Sequence, residues 1–383
     1  FKDQDDSKAT SISRAARIYT VPPGMPFLDV LAKAILTGKL GTFGDGHPST
    51  LALTDITLLL PTRRASRALQ DAFLRNMSRR AVLLPQIRPI SEDDENLSLL
   101  TSLAGLTSST YRDMTARPPI SEMERRIALT ELVLHWARVM REAASDETRD
   151  GARPTAAGSE TPAQAAHLAS ELASLMDMVE TENASLSDLA NLVPATFSEH
   201  WQKTIQFLDI LTKFWPAYLE ERNLTAPAAE RSRRLLAEAH RLTEAPPKGP
   251  VIVAGVTGSI PASAELMRAV AALPNGAIVL PNLDLLLDDE SWEQICPLDT
   301  KSERHPEHPQ YGLKVLLDRL GLGRKDVAVL SGAELSQPEQ NRLAFVAEAM
   351  RPAATTAHWH TYAETVDRHA LAEGLAGVNL IDA

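Results

Sequence analysis

The chain has 383 residues, 44% of them hydrophobic, and a formal net charge of −11. This length predicts two or three domains, and the apolar content is sufficient for a sizeable core. The acidic balance excludes a general nucleic-acid coat, so any contact with DNA must come from a local patch. Cys296 is the single cysteine, which excludes an internal disulfide and a self-contained iron–sulfur or structural zinc site.

Hydropathy along the chain bears on its location. No apolar run approaches the length of a membrane span, and residues 1–16 are too polar for a signal peptide. We therefore expect a soluble, cytoplasmic protein that has no membrane partner. The polar residues 1–16 are expected to form a flexible start.

Short apolar strands alternate with helices between residues 17 and 90, a pattern typical of a parallel sheet. The predicted elements are a strand at 17–21, a helix at 27–37, a strand at 55–60, a helix at 63–77 and a short strand at 81–85. The fold class is therefore α/β.

Only helical patterns follow, and then the alternation returns. Ser121 opens a capping-box-like SEME, and the later helices are placed at 163–182, 198–221 and 226–243. The Pro-rich segment APPKGP ends the helical part. After it, the apolar pattern predicts strands at 251–256 and 277–281 and helices at 262–273, 310–320 and 338–350. The predicted organisation is a discontinuous α/β domain (17–117 and 246–340), a helical insertion (118–245), and a connecting helix with the start of a further, truncated domain (341–383).

The loop TVPPGMPFLDVL, residues 20–31, stands where the phosphate-binding loop of an NTPase would stand. Such a loop needs glycines, inward-pointing N–H groups and a Lys-Ser/Thr pair. Here three prolines remove donors, Gly24 is the only glycine, and Phe27 and Leu28 replace the Lys-Ser/Thr pair. The sequence therefore predicts a strand–turn–helix that does not bind nucleotide.

The motif PTRRASRAL, residues 61–69, is the most informative local motif. Thr62 is placed to cap the helix whose first turn carries Arg63 and Arg64, with Arg67 one turn later. A helix N-terminus with guanidinium groups suits a phosphate oxygen, although a solvated basic helix would have the same residues. Two arginines in a first turn oppose the helix dipole, which favours phosphate or DNA backbone contact.

The segment VIVAGVTGSIPAS follows a buried strand, at the edge where open α/β sheets place ligands. An ATPase would have acidic residues just after this strand to hold magnesium, but Ala254 and Gly255 stand there. Thr257 and Ser259 can contact a ligand or a DNA phosphate, or can form the turns common in such loops.

Two further groups of residues have metal-binding side chains. Asp284, Asp288, Asp289 and Glu290 form an acidic cluster, but DDE before Ser-Trp favours a helix start over a metal site. The histidines of HPEHPQ and HWH match no zinc spacing and are interpreted as loop or surface residues. We predict no catalytic residue, no metal ligand and no cofactor in this chain.

Several motifs in this order resemble one family, the AddB subunit of alphaproteobacterial AddAB helicase-nucleases. The resembling segments extend over nearly the whole chain: RIYTVPPGMPFLDVLA (17–32), TDITLLLPTRRASRALQDAFL (54–74), LLPQIRPISEDDE (83–95), EHWQKTIQFLDI (199–210), PVIVAGVTGSIPAS (250–263), AIVLPNLD and DDESW (277–292) and HPQYGLKVLL (308–317). Each motif alone is weak, but together they are specific.

The resemblance implies a RecA-like sheet of the superfamily 1 helicase type that has lost its ATPase groups, with an inserted all-α domain. It assigns DNA contacts to Thr62, Arg63, Arg64, Arg67, Thr257 and Ser259. It also implies an AddA-type motor subunit and a single- or double-stranded DNA end as partners, a nucleoid-associated location, and a role in double-strand-break repair by recombination. The family's nuclease domain, with its iron–sulfur cluster and magnesium, would follow Ala383, so no nuclease activity is expected here.

Two other interpretations remain open. The first is a doubly wound α/β enzyme that acts on a nucleotide or a nucleotide sugar. The second is a scaffold that only binds partners through the acidic stretch 154–202, which has seven acids and no Lys or Arg.

Overall fold

A computed structural model describes residues 17–42, 49, 51–77, 83–90, 117–147, 161–184, 207–208, 210–258, 260–297 and 304–378. These residues fall into two compact units, whose bounds along the chain are Phe1–Asp94, Leu235–Ser259 and Ser263–Ala383 for the sheet unit, and Glu95–Arg234 with Ile260–Ala262 for the helical unit.

Within the described residues, the sheet unit contains a six-stranded parallel sheet with surrounding helices, which confirms the α/β class. Its strands in chain order are β1 (Ile18–Val21), β2 (Thr57–Leu60), β3 (Gln86–Pro89), β4 (Val251–Ala254), β5 (Gly276–Pro281) and β6 (Ala328–Val329). Their order across the sheet is β3–β2–β4–β5–β1–β6. The central strands are apolar and buried on both faces, as parallel strands between helices must be.

Most helices of the sheet unit lie close to their predicted positions, but the helices at His358–Thr365 and Arg368–Leu375 are not among the predicted elements. They are α1 (Phe27–Leu36), α2 (Arg63–Asn76), α7 (Pro261–Ala272), α8 (Asp289–Ile295), α9 (Tyr311–Leu320), α10 (Gln337–Ala349), α11 (His358–Thr365) and α12 (Arg368–Leu375). Helix α7 begins at the chain boundary between the two units. Residues 43–48 and 50, which follow α1, and residues 379–383 lie outside the described part of the chain.

Helices α1 and α2 pack on one face of the sheet. Leu31 and Ile35 of α1, with Leu69 and Phe73 of α2, share a buried cluster with alternate residues of β2, β4 and β5. Because β1–α1–β2 and β2–α2–β3 run across the sheet in one direction, right-handed crossovers place both helices on the same face. The β4–α7–β5 crossover runs in the opposite direction, so α7 belongs to the other face.

One predicted strand is wrong. The apolar run 81–85 was expected to form the third strand, but β3 consists of Gln86–Pro89, and the described residues 83–85 are not in a strand. Gln86 N donates to Ile56 O at 2.9 Å, and Ile90 N donates to Leu60 O at 2.7 Å. The reason is that β3 is an edge strand, which tolerates polar residues and a terminal proline that a buried central strand excludes.

The helical unit is described by itself. Its helices are α3 (Glu122–Glu147), α4 (Pro162–Thr181), α5 (Trp215–Glu221) and the first part of α6 (Pro227–Glu244), which continues into the sheet unit from Leu235. Ser121 and Thr161 accept hydrogen bonds from the first turns of α3 and α4, as N-caps do.

The predicted regular helix at 198–221 needs a correction. Its described part has a π-helical turn at Ile210–Phe214 before α5. Pro216 has no N–H for the carbonyl of Thr212, which interrupts the regular α-helical hydrogen bonds at this point. Among the helices that the structure describes, none is both long and apolar enough to cross a membrane.

Candidate nucleic-acid interface

The order of the strands creates a crevice at the edge of the sheet where the carboxyl ends of the strands lie. Strands β2 and β4 are parallel neighbours, with Leu59 paired to Val253, so their carboxyl ends lie side by side. From β2 the chain continues outward to β3, and from β4 it continues in the opposite direction to β5. Open α/β sheets bind ligands at such a reversal, outside the carboxyl ends of the strands.

The start of α2 lies at this edge. Thr62 has extended backbone angles, and its Oγ1 accepts a hydrogen bond from Ala65 N at 3.1 Å, so the predicted N-cap is confirmed. Arg63, Arg64 and Arg67 are exposed, and the first turn of α2 has no acidic residue. The exposed guanidinium groups therefore add positive charge to the positive end of a helix dipole.

The second predicted segment follows β4. Thr257 is exposed, whereas Gly258 is buried with φ +59°. A Cβ on Gly258 would lie 2.3 Å from Leu316 Cδ1, so a side chain at this position would collide with α9. Gly258 thus fixes the path of the loop that presents Thr257. Ser259, the last of the predicted DNA contacts, lies outside the described residues.

The loop after β1 has no phosphate cradle among its described atoms. Pro26 precedes α1 as its N-cap residue without a side-chain hydrogen bond, and Gly24 has φ +88° with open space around it. Asp29 in the first turn of α1 accepts three hydrogen bonds from Arg75 at 2.9–3.0 Å. Phe27 and Leu28 pack against the core beneath the loop. The loop is therefore held by apolar packing and an ion pair.

A pocket of about 430 Å³ lies at the carboxyl ends of β4 and β5. Thr257 forms part of its wall, Asn282 follows β5, and Tyr311 begins α9. Three prolines also line it: Pro281, Pro306 and Pro309. The wall thus combines one aromatic ring and apolar faces with a few polar groups, a combination typical of small-molecule sites.

Two side chains of this pocket are fixed by hydrogen bonds. His308 Nδ1 accepts from Gln310 N at 3.1 Å, so its Nε2 carries the proton that bonds Met350 O at 2.8 Å. Gln310 donates to Asn282 O at 2.9 Å and accepts from Asp284 N at 3.0 Å. The sequence interpretation of His308 as a loop histidine missed this role in connecting the pocket rim to the residue that ends α10.

The four acids of the predicted cluster have separate partners. Asp284 Oδ1 accepts from Leu286 N and Leu287 N. Asp288 caps α8 through Ser291 N and pairs with Arg351, and Asp289 pairs with Arg324. Glu290 lies 3.9 Å from His358. The predicted helix start at DDE is confirmed, with Asp288 as the N-cap of α8.

Acid should weaken the contact between α8 and the segment after α10. Burial alone would raise the pKa of Asp288, but hydrogen bonds from Ser291 and Arg351 hold it below its ordinary value. A carboxyl whose folded pKa is lowered gives stability that is present above its unfolded pKa and is lost as the pH falls through the folded pKa. We therefore expect the midpoint temperature of thermal unfolding to decrease when the pH is lowered below about 4.

The variant Asp288→Asn measures the contribution of this carboxyl to acid-induced destabilisation separately from the contributions of the other carboxyl groups. Asparagine keeps the cap but cannot titrate, so circular dichroism melts from about pH 3 to pH 7 should show a smaller acid-induced loss than in the unmodified chain. Parallel pH profiles for the two proteins would contradict the expectation.

Comparison of the chain with known proteins gave no support for any assignment: no protein family, no curated protein and no solved structure matches it. The functional interpretation therefore depends on the residues and geometry described above.

Proposed function

We propose that this chain is the helicase-like, ATPase-inactive region of a DNA double-strand-break repair helicase-nuclease subunit. In this function it contacts single-stranded DNA and an AddA-type motor subunit while DNA ends are resected for recombination. The chain itself consumes no ATP, and its RecA-like sheet and inserted helical domain are part of the same proposal.

The position of two loops carries the proposal. The segments chosen from the sequence as DNA contacts follow β2 and β4, which are adjacent parallel strands with connections in opposite directions. A polynucleotide crossing this edge would therefore meet the arginines of α2 and then the hydroxyl of Thr257. Phosphate contacts of this kind position a strand without reading its sequence.

Charge at this edge favours a polyanion over a small neutral ligand. Three exposed arginines, Arg63, Arg64 and Arg67, lie in the first two turns of α2, in a chain whose net charge is −11. Arginines at a helix N-terminus oppose the dipole and cost stability unless an anion lies nearby. The position of the exposed Arg64 in the first turn of α2, which has no acidic residue, supports contact with phosphate.

The double variant Arg63→Ala/Arg64→Ala tests this proposal. Fluorescence anisotropy with a labelled oligothymidylate should show weaker binding, by roughly 25-fold near 0.1 M salt if two phosphate contacts are lost. The slope of log K against log salt should become shallower by about 1.4.

A matched control removes the same charge elsewhere. Arg126 and Arg138 are exposed on α3 of the helical unit, and Arg126→Ala/Arg138→Ala should leave both the affinity and the slope nearly unchanged. Equal losses in the two double variants would indicate a general charge effect and remove PTRR from the interface. Failure of the unmodified chain to bind at low salt, with retained binding to a motor subunit, would favour a scaffold.

A second candidate is an α/β enzyme that acts on a nucleotide or a nucleotide sugar. The observation in its favour is the open pocket beside Thr257, Asn282 and Tyr311 at the carboxyl ends of β4 and β5, where open α/β sheets bind ligands. Calorimetric titration with ATP, GTP and nucleotide sugars, with and without magnesium, distinguishes the two functions. Micromolar binding would support the enzyme.

A further inference from the structure

Phe27 follows the loop after β1, and its ring lies close to Gly255, the residue directly after β4. Phe27 is the first residue of α1 and is only partly buried. It packs against the core cluster that contains Val21, Leu60 and Ala254, the last residues of β1, β2 and β4. The side chain is therefore part of the apolar packing on the face of the sheet that α1 and α2 cover.

Gly255 shows how closely the ring approaches. A Cβ built on Gly255 would lie 3.4 Å from Phe27 Cε1 and 3.6 Å from Pro61 Cδ. Gly255 also has φ +72°, which favours glycine. The ring and the proline thus occupy the space beside this residue, so that Phe27 contacts the loop after β4 at the point where the loop after β2 reaches it.

We infer that Phe27 is a positioning residue that clamps the loop after β2 to the loop after β4. In an active NTPase the residues at the position of Phe27 and Leu28 bind the phosphates and magnesium. Here a ring of the chain itself lies beside Gly255 instead, so we expect the relative position of Thr62 and Thr257 not to depend on a nucleotide.

The link to DNA rests on the proposed function, whereas the clamp itself does not. Loops held in their binding conformation lose less entropy when a ligand binds, and this raises affinity without a new contact. If the two loops bind one strand, the ring of Phe27 should strengthen DNA binding although it is not itself assigned a DNA contact.

Hydrogen exchange tests the clamp without DNA. Gly255 N donates to Val279 O at 3.0 Å and Ala65 N donates to Thr62 Oγ1 at 3.1 Å, so these amides report on the two loops. In Phe27→Ala both amides should exchange faster by about tenfold than in Leu31→Ala, a truncation of a fully buried residue of the same helix.

Phe27→Leu serves if Phe27→Ala does not fold, and it should accelerate the same two amides to a smaller extent. If exchange at Gly255 and Ala65 is the same in the Phe27 variants as in Leu31→Ala, the clamp is disproved. This outcome does not depend on whether the chain binds DNA.

The DNA measurement is made with the same three variants. Phe27→Ala should weaken oligothymidylate binding about fivefold with an unchanged salt slope, because every arginine remains in place. Leu31→Ala should lose stability but keep its affinity. If exchange is faster in Phe27→Ala but the unmodified chain does not bind DNA, the proposed function is disproved and the clamp is still supported. If Phe27→Ala binds DNA with unchanged affinity, the link between the clamp and DNA binding is disproved.

Discussion

Gly276→Ala should lower the free energy of unfolding of the sheet unit by about 3 kcal/mol or more. Gly276 begins β5 directly after the turn from α7, and a Cβ there would lie 1.8 Å from Val270 O and 3.1 Å from Leu273 Cβ. Val270 O is a backbone atom of α7, so the clash cannot be relieved by a side-chain rotation. The helix or the central strand must move instead.

Thermal melts followed by circular dichroism should show the midpoint lowered by roughly 6 °C or more. Gly323→Ala is the matched control, because Gly323 has φ −97° and the nearest atom to its Cβ position is Asp326 Oδ2 at 3.6 Å. This control should be neutral or slightly stabilising. Equal midpoints for the two variants would show that the turn before β5 is looser than described.

The second large effect is expected in the helical unit, at a buried ion pair. Arg125 of α3 is 1% exposed, and its guanidinium donates to Asp177 at 2.9 and 3.0 Å and to Ala173 O at 2.9 Å. Asp177→Ala leaves this charge buried with one carbonyl, which should cost about 2–3 kcal/mol. The value lies below the usual range because Asp177 is 43% exposed and solvent screens the pair.

A variant that removes the arginine instead of the aspartate shows which partner of the ion pair is costly to leave alone. Arg125→Met removes the buried charge and leaves Asp177, which solvent reaches, so it should cost less than Asp177→Ala. The double variant should be closer to Arg125→Met than to Asp177→Ala. Urea titrations followed by circular dichroism measure all three, and equal costs for the two single variants would contradict a fully desolvated guanidinium.

Elements defined by local signals could be predicted from the sequence. The apolar runs predicted β1 and β2 nearly to the residue, Thr62 was recognisable as an N-cap, and DDE before Ser-Trp was recognisable as a helix start. The third strand was predicted at the wrong position. An edge strand has few buried side chains and need not be apolar, so the apolar run before it did not mark the strand. The order of strands across the sheet could not be derived, because it depends on pairings between distant segments.

The candidate site likewise has residues that local sequence predicts and contacts between distant segments that it does not predict. The exposed arginines of α2 follow from the pattern PTRR, but the closeness of Phe27 to Gly255 joins residues far apart in the chain. The same is true of the hydrogen bond from His308 to Met350 O. Only the missing side chain at Gly255, directly after a buried strand, gave a sequence signal that another group approaches there.

The pairing of β2 with β4 has a consequence for synthesis on the ribosome. Thr57 and Val251 are partners in the sheet, yet nearly two hundred residues separate them. At the usual pace of translation, β1 and β2 wait roughly 10–40 s for the central strands that cover them. During that interval their apolar edges are open to other chains, so we expect the nascent protein to depend on chaperones and to aggregate when it is overproduced.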